Sequence, residues 1–277
     1  MAQIHPTAII DTGAVIGKNV EIGPYTVIGP HVTLEDDVVI KSHVVLDGHT
    51  TIEQGSCIWS HAVIGTKTQD LKFRGEKTFV VIGKNTNIRE FVTINASCGE
   101  NSVVKVGDNC LIMAYCHVAH NCEVGNRVIM SNGATLAGHV TVDDCAVIGG
   151  LSAVHQFSRI GRYAMVGGMS RVTHDVPPFT IGAGSPYKIG GLNIVGLKRN
   201  GVSLETRKHL AQAFRAVYRS GLSLQEALLF IETQIEKIPE VAHWITFCRT
   251  SKRGLIDHRS IVEESVEEEE LEPVTKV

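Results

Sequence analysis

Residues 106–177 read, in consecutive sixes, VGDNCL IMAYCH VAHNCE VGNRVI MSNGAT LAGHVT VDDCAV IGGLSA VHQFSR IGRYAM VGGMSR VTHDVP. Each block opens on Val, Ile, Leu or Met and carries a small or β-branched residue at its fifth place. Side chains alternate along an extended chain, so the fifth place of one block and the first of the next point to the same side. A hexapeptide period of inward positions specifies a parallel β-helix. The expected architecture is an all-β left-handed parallel β-helix, a triangular prism in which three blocks close a coil of eighteen residues. Gly, Asp and Asn between the inward places suit the corners, where the chain turns.

Working outward, the same frame runs back to Ile4 through IHPTAI, IDTGAV, IGKNVE, IGPYTV, IGPHVT, LEDDVV, IKSHVV, LDGHTT, IEQGSC, IWSHAV and IGTKTQ. Between Ile4 and Val172 the frame fails only at Asp70, Glu76 and Glu100, which marks two excursions at about 68–81 and 96–105. Loops ejected from solenoid corners are common functional faces. Whether the first loop replaces part of a coil or is inserted between blocks stays open, so face assignments rest on the chain from Val106 onward.

After Pro177 the period is lost. A Gly-rich connector, PFTIGAGSPYKIGGLNIVGLKRNG, leads into a helical pattern. Ser203 is placed to cap a helix carrying Leu210, Phe214 and Val217. Ser223 and Glu226 form a capping box for a helix with Leu224, Leu228, Ile231 and Ile235 on one face, and Pro239 opens a third helix with Val241, Trp244 and Phe247. The expected division is a prism over 1–190, a small C-terminal α-helical domain over 191–260, and an acidic, disordered tail over 261–277.

Composition fits a narrow apolar prism. Aromatic residues make up 5% of the 277 residues, so no wide core of large rings is expected, and there are 27 glycines. No run approaches the ~18 apolar residues of a membrane span, and the N-terminus lacks a basic region followed by an apolar segment, so the expected location is cytoplasmic. The seven cysteines are read as buried reduced thiols, three of them (Cys110, Cys116, Cys122) at inward fifth places. Charge is segregated: residues 263–277 carry a net −6 and residues 198–260 a net +5. The basic helical end is read equally as a solvated face or as a recruiter of an acidic partner. No basic stripe suggests nucleic acid.

Blocks opening at Val118, Leu136, Val154 and Val172 lie three apart and share one side of the prism. Their third residues, His120, Gly138, Gln156 and His174, therefore form a column, with His139 and His155 beside it and His117 just before the corner. An imidazole next to a glycine N–H one coil away offers a proton acceptor and an oxyanion donor, the two parts that acyl transfer to a hydroxyl requires. Simpler readings compete. His31, His43, His49, His61 and His139 all occupy the outward fourth place, so histidine there needs no function. A three-histidine zinc enzyme of the carbonic anhydrase type and a non-catalytic solenoid scaffold are the alternatives.

The hexad frame, TQDLKF at 68–73, HVAHNCEVGNR at 117–127, LAGHVTVDD at 136–144, IGGLSAVHQF at 148–157, DVPPF at 175–179 and GLNIVGLKRNG at 191–201 resemble the UDP-N-acetylglucosamine acyltransferases of lipid A biosynthesis. The resemblance spans Ile4 to about Arg253. It implies His120 as general base for the sugar 3-hydroxyl and the Gly138 N–H as oxyanion donor during direct attack on the thioester of acyl-acyl carrier protein. It also implies substrate contacts at Gln69, Asp70, Lys72, His117, His139, His155, Gln156, Asn193 and Arg199, with Gly168 setting acyl-chain length. No metal or resident cofactor is implied, since the donor is carried on the phosphopantetheine of the acyl carrier protein. The implied assembly is a homotrimer in which loop 68–81 serves a neighbour's histidine column. Three departures stand out: Asn121 where the family often has Asp, Val195 and Asn200 in place of a Glu and a second Arg, and the acidic tail.

Overall fold

The computed structural model describes residues 1–257; the expected acidic tail lies outside them. Successive two- to four-residue strands fall in rotation on three parallel sheets, which begin with Gln3–Ile4, Ile9–Ile10 and Val15–Ile16 and are here called faces 1, 2 and 3. They form a left-handed parallel β-helix. Beyond the first coil the inward first and fifth places of the prism are closed to solvent as the alternation requires: Val118, Leu136, Cys122 and Val140 are all fully buried. The cysteines at 110, 116 and 122 are free thiols, and burial pushes each up to about 11.

Register bears out the eighteen-residue coil. Val118 pairs with Leu136, Leu136 with Val154 and Val154 with Val172. Across the first excursion the step lengthens, Ile64 pairing with Ile94, and across the second Ile94 pairs with Val118. The excursions thus add twelve and six residues, whole blocks, which is why the frame survives them and why faces can be assigned back to Ile4. Each ends earlier than the frame suggests, because Phe79–Ile82 and Val103–Val106 are already strands, paired to each other. Both leave from the corner between faces 2 and 3.

The fourth place of most blocks has positive φ, as at Asn19, His43, His61, Asn109 and His139. Asn, Asp and His tolerate that conformation better than other side-chain-bearing residues, which accounts for recurrent histidine at this place. At the corner between faces 1 and 2 these side chains stack one coil above another: Tyr25 on His43, His43 on His61, His61 on Phe91 and Phe91 on Tyr115, with ring centroids 4.8–5.1 Å apart. That separation matches the ~4.8 Å between paired strands.

The connector after Pro177 is more ordered than its glycines suggest. Thr180–Ala183 continues face 1 by pairing with Met165–Val166, then turns back antiparallel to Lys188–Leu192. Helix α1 (Ile194–Arg199) follows, then α2 (Leu204–Tyr218), α3 (Leu224–Gln234) and α4 (Pro239–Arg249). Ser203 caps α2, and Ser223 with Glu226 forms both bonds of the capping box. Two face assignments need correction: Tyr218 rather than Val217 completes the buried side of α2, and Leu224 is exposed because α3 buries Ala227, Leu228 and Ile231. Trp244 of α4 is fully buried and stacks over Phe179, closing the end of the prism. Asp175, also buried, accepts from the Arg159 N–H and the Ser251 hydroxyl, tying the last coil to the segment after α4.

Candidate active site at one corner of the prism

The corner between faces 2 and 3 carries a cleft of about 580 Å³. Its lining includes Gln69, Asp70 and Lys72 from the first loop and His117, His120, Gly138, His139 and Gln156 from the coils. Three members of the eighteen-residue column, His120, Gly138 and Gln156, thus line one cleft, and His174 is not among its lining residues. The loop belongs to the same chain: it leaves the prism below His120 at that corner and folds along the axis over its own column. This corrects the expectation that the loop acts on a neighbour's histidine column: Asp70 stands beside His120 of its own chain.

His120 Nε2 lies 3.7 Å from Asp70 Oδ2, and the two side chains are only 16% and 18% exposed. The separation is beyond hydrogen-bond length. The other ring nitrogen is engaged: Nδ1 is 2.9 Å from Asn121 Oδ1. Asn121 is itself held by the second loop. Its Nδ2 donates to the Cys98 carbonyl at 3.0 Å, its Oδ1 accepts from the Cys98 N–H at 3.3 Å, and its own N–H donates to Ser97 Oγ at 3.2 Å. An amide oxygen only accepts, so Nδ1 carries the proton and the neutral ring presents its lone pair at Nε2. A missing carboxylate at position 121 thus leaves tautomer control intact.

Gly138 is where close approach demands glycine. A Cβ there would overlap His120 Cε1 and Nε2. The Gly138 N–H has no hydrogen-bond acceptor among the described residues. A lone pair and an uncommitted N–H therefore face one cleft from adjacent coils. Asp70 is held below the usual carboxylate range chiefly by the Lys72 N–H, which donates to Oδ1 at 2.9 Å, with the Lys72 charge adding.

His117 is half-buried, its Nδ1 2.7 Å from Thr93 Oγ1, and burial lowers its pKa. His139 meets His120 edge-on, 5.2 Å between centroids at 88°, and stacks on Phe157 at 4.7 Å. Burial lowers its pKa and the neighbouring His120 lowers it further. Among the described residues no three His, Cys, Asp or Glu side chains converge as a metal site would require.

Four expected positions are not brought into this cleft by the single chain. His155 occupies the outward second place, exposed, with Nδ1 turned to the Gln156 carbonyl at 3.1 Å. Asn193 is the N-cap of α1: Oδ1 accepts from the Gly196 N–H and Nδ2 donates to the Tyr163 carbonyl, at the corner between faces 3 and 1. Arg199 is exposed at the end of α1. Gly168 lies at the corner between faces 1 and 2, against the Gly150 backbone and next to exposed Met169. Conversely, Asn95, Ser97, Cys98 and Phe157 were not picked out as site residues. Only the frame break at 96–105 signalled Ser97 and Cys98.

Comparison with known proteins gives three family-model matches, one of them between residues 4–99 and the model "GMPPB C-terminal domain". Residues 175–256 match the model "Udp N-acetylglucosamine O-acyltransferase; Domain 2", and residues 99–138 match "Bacterial transferase hexapeptide (six repeats)". A protein of Chlamydia caviae named acyl-[acyl-carrier-protein]–UDP-N-acetylglucosamine O-acyltransferase is 56% identical over 97% of this chain and 98% of its own. The Chlamydia abortus protein of that name is 54% identical over 98% and 97%. Among solved structures, the UDP-N-acetylglucosamine acyltransferase of Bacteroides fragilis superimposes with a TM-score of 0.89 at 39% identity, covering 92% of this chain and 100% of that one.

Proposed function

The chain belongs to the acyl-[acyl-carrier-protein]–UDP-N-acetylglucosamine O-acyltransferase family, and from that premise we propose how its residues carry out the transfer. A fatty acyl chain passes from acyl carrier protein to the 3-hydroxyl of UDP-N-acetylglucosamine, the first step of lipid A biosynthesis. His120 Nε2 takes the hydroxyl proton as the oxygen attacks the thioester carbonyl. The carbonyl oxygen becomes an oxyanion that the Gly138 N–H receives, and collapse expels the phosphopantetheine thiolate, which takes a proton from the imidazolium and leaves as the thiol. Asp70, an acceptor beside Nε2, stabilises the imidazolium and accepts from the sugar. His139 and His117, held neutral by burial, donate or accept hydrogen bonds without adding charge. The observation that carries this reading is the His120 ring fixed through Nδ1 with Nε2 next to Gly138 of the following coil.

The remaining substrate positions support a trimer. Gly168, Asn193 and Arg199 lie away from the His120 cleft, Gly168 and Asn193 at the other two corners, so they reach a common substrate only if another copy supplies them. In this assembly, cytoplasmic and with no metal or resident cofactor, the cleft between chains holds the sugar nucleotide and the pantetheine arm. Among the described residues no helix is long and apolar enough to cross a membrane.

The test is His120→Ala assayed with UDP-N-acetylglucosamine and acyl-acyl carrier protein. Turnover should fall by at least about a hundredfold, the usual worth of a general base, with the thermal melt and oligomer size unchanged. Turnover close to that of the unaltered protein would remove His120 from the mechanism.

A further inference from the structure

The second loop supplies something the general-base reading alone does not require. Asn121 sits at a fourth place with φ 56°, where a side chain of this kind is at home in any coil. Its amide is not left to solvent. It pairs with the Cys98 peptide through both of its ends, Nδ2 donating to the Cys98 carbonyl and Oδ1 accepting from the Cys98 N–H, while Oδ1 also accepts from the His120 Nδ1–H. Ser97, fully buried, accepts the Asn121 N–H. The loop is in turn anchored to the first loop: Asn95 donates from Nδ2 to Thr66 Oγ1 and to the Lys67 carbonyl, and the Ala96 N–H donates to the Thr66 carbonyl.

We propose that Asn121 is a positioning residue whose function in this chain depends on its being an amide: the Ser97–Cys98 segment locks it, and it locks the tautomer of His120. A carboxylate at position 121 could still accept from the His120 Nδ1–H and the Cys98 N–H. It would also set an acceptor oxygen against the Cys98 carbonyl, where the structure needs a donor. Aspartate, the residue common at this place in the family, is therefore the wrong residue here. The orientation of the base is set by the second loop.

The inference rests on His120 being the base, and the experiment separates the two. Asn121→Asp, Asn121→Ala and Ser97→Ala are assayed beside His120→Ala, with steady-state pH profiles and with ring-nitrogen shifts of labelled histidine recorded on each full-length protein. Asn121→Asp should lower kcat about tenfold or more at an unchanged KM for UDP-N-acetylglucosamine. It should also move the acid limb of the profile to higher pH, because a negative charge beside Nδ1 raises the imidazole pKa. Asn121→Ala should abolish the Nδ1–H signature of His120, and Ser97→Ala should lower kcat several-fold. Should Asn121→Asp melt too early to assay, the ring-nitrogen signature in Asn121→Ala decides alone. An Asn121→Asp enzyme as fast as the unaltered one, or a His120 tautomer indifferent to Asn121→Ala, overturns the proposal. If that happens while His120→Ala is inactive, only the lock fails. An active His120→Ala defeats the base reading itself.

Discussion

Two corners of the prism are built on the same repeat and do opposite things with it. At the corner between faces 3 and 1, the third-place N–H of one coil is capped by the third-place side chain of the next: Lys18 by Asp36, Lys84 by Asp108, Asp108 by Asn126 and Asn126 by Asp144, all at 2.7–2.8 Å. At the corner between faces 2 and 3 the third places from His120 onward are His120, Gly138, Gln156 and His174, and among the described residues none of their N–H groups finds an acceptor. One column spends its polar groups on holding coils together. The other leaves them facing a cleft under two loops. A position that closes the fold in one place opens a site in another, and the difference lies in whether the next coil supplies a capping side chain.

Substitutions at equivalent places should separate the two roles. The largest effect is expected from Gly138→Ala, where the added methyl displaces the imidazole that Asn121 holds. Turnover should drop by roughly a thousandfold, the combined worth of a misplaced base and a blocked oxyanion donor, while the melt stays near that of the unaltered protein. A loss under tenfold would mean that the close approach of ring and glycine is incidental. At the capping corner, Asp108→Ala should leave kcat and KM alone and cost about 1 kcal/mol of stability through the uncapped Lys84 N–H. Denaturant unfolding would show it, and an activity defect there would break the distinction between corners.

The smallest effect concerns pH. Burial depresses the folded-state pKa of His117 below the ~6.5 of an unfolded chain. Its contribution to stability is then complete above about pH 6.5 and is lost as pH falls from there through the depressed value, because the unfolded chain binds the proton first. Melting temperature should decline on acidification in that window, and His117→Gln should make the decline shallower. An unchanged slope would show that His117 titrates alike in both states.

How much could be read in advance follows from which features are periodic. The prism was legible because inward places recur every six residues, and the His120–Gly138–Gln156 column because three blocks make a coil. Even the two excursions kept their phase, since each inserts whole blocks. The directions of individual side chains were not legible. His155 and Gln156 are neighbours in sequence, yet one turns outward and the other lines the cleft. Asn193 reads as a ligand contact in GLNIVG and is, within this chain, a helix cap with both amide ends occupied. Asn121 stood out only as a departure from the family's aspartate, because nothing in the spacing announces that Cys98, more than twenty residues away, supplies its partners. Contacts between a loop and a corner depend on where an aperiodic segment lands.

The most direct measurement is a structure of the protein with UDP-N-acetylglucosamine bound. The sugar 3-hydroxyl oxygen should lie about 2.6–3.2 Å from His120 Nε2, with open space beside it toward the Gly138 N–H for the thioester carbonyl. A sugar bound with that hydroxyl out of reach of Nε2, or seated at another corner of the prism, would contradict the account.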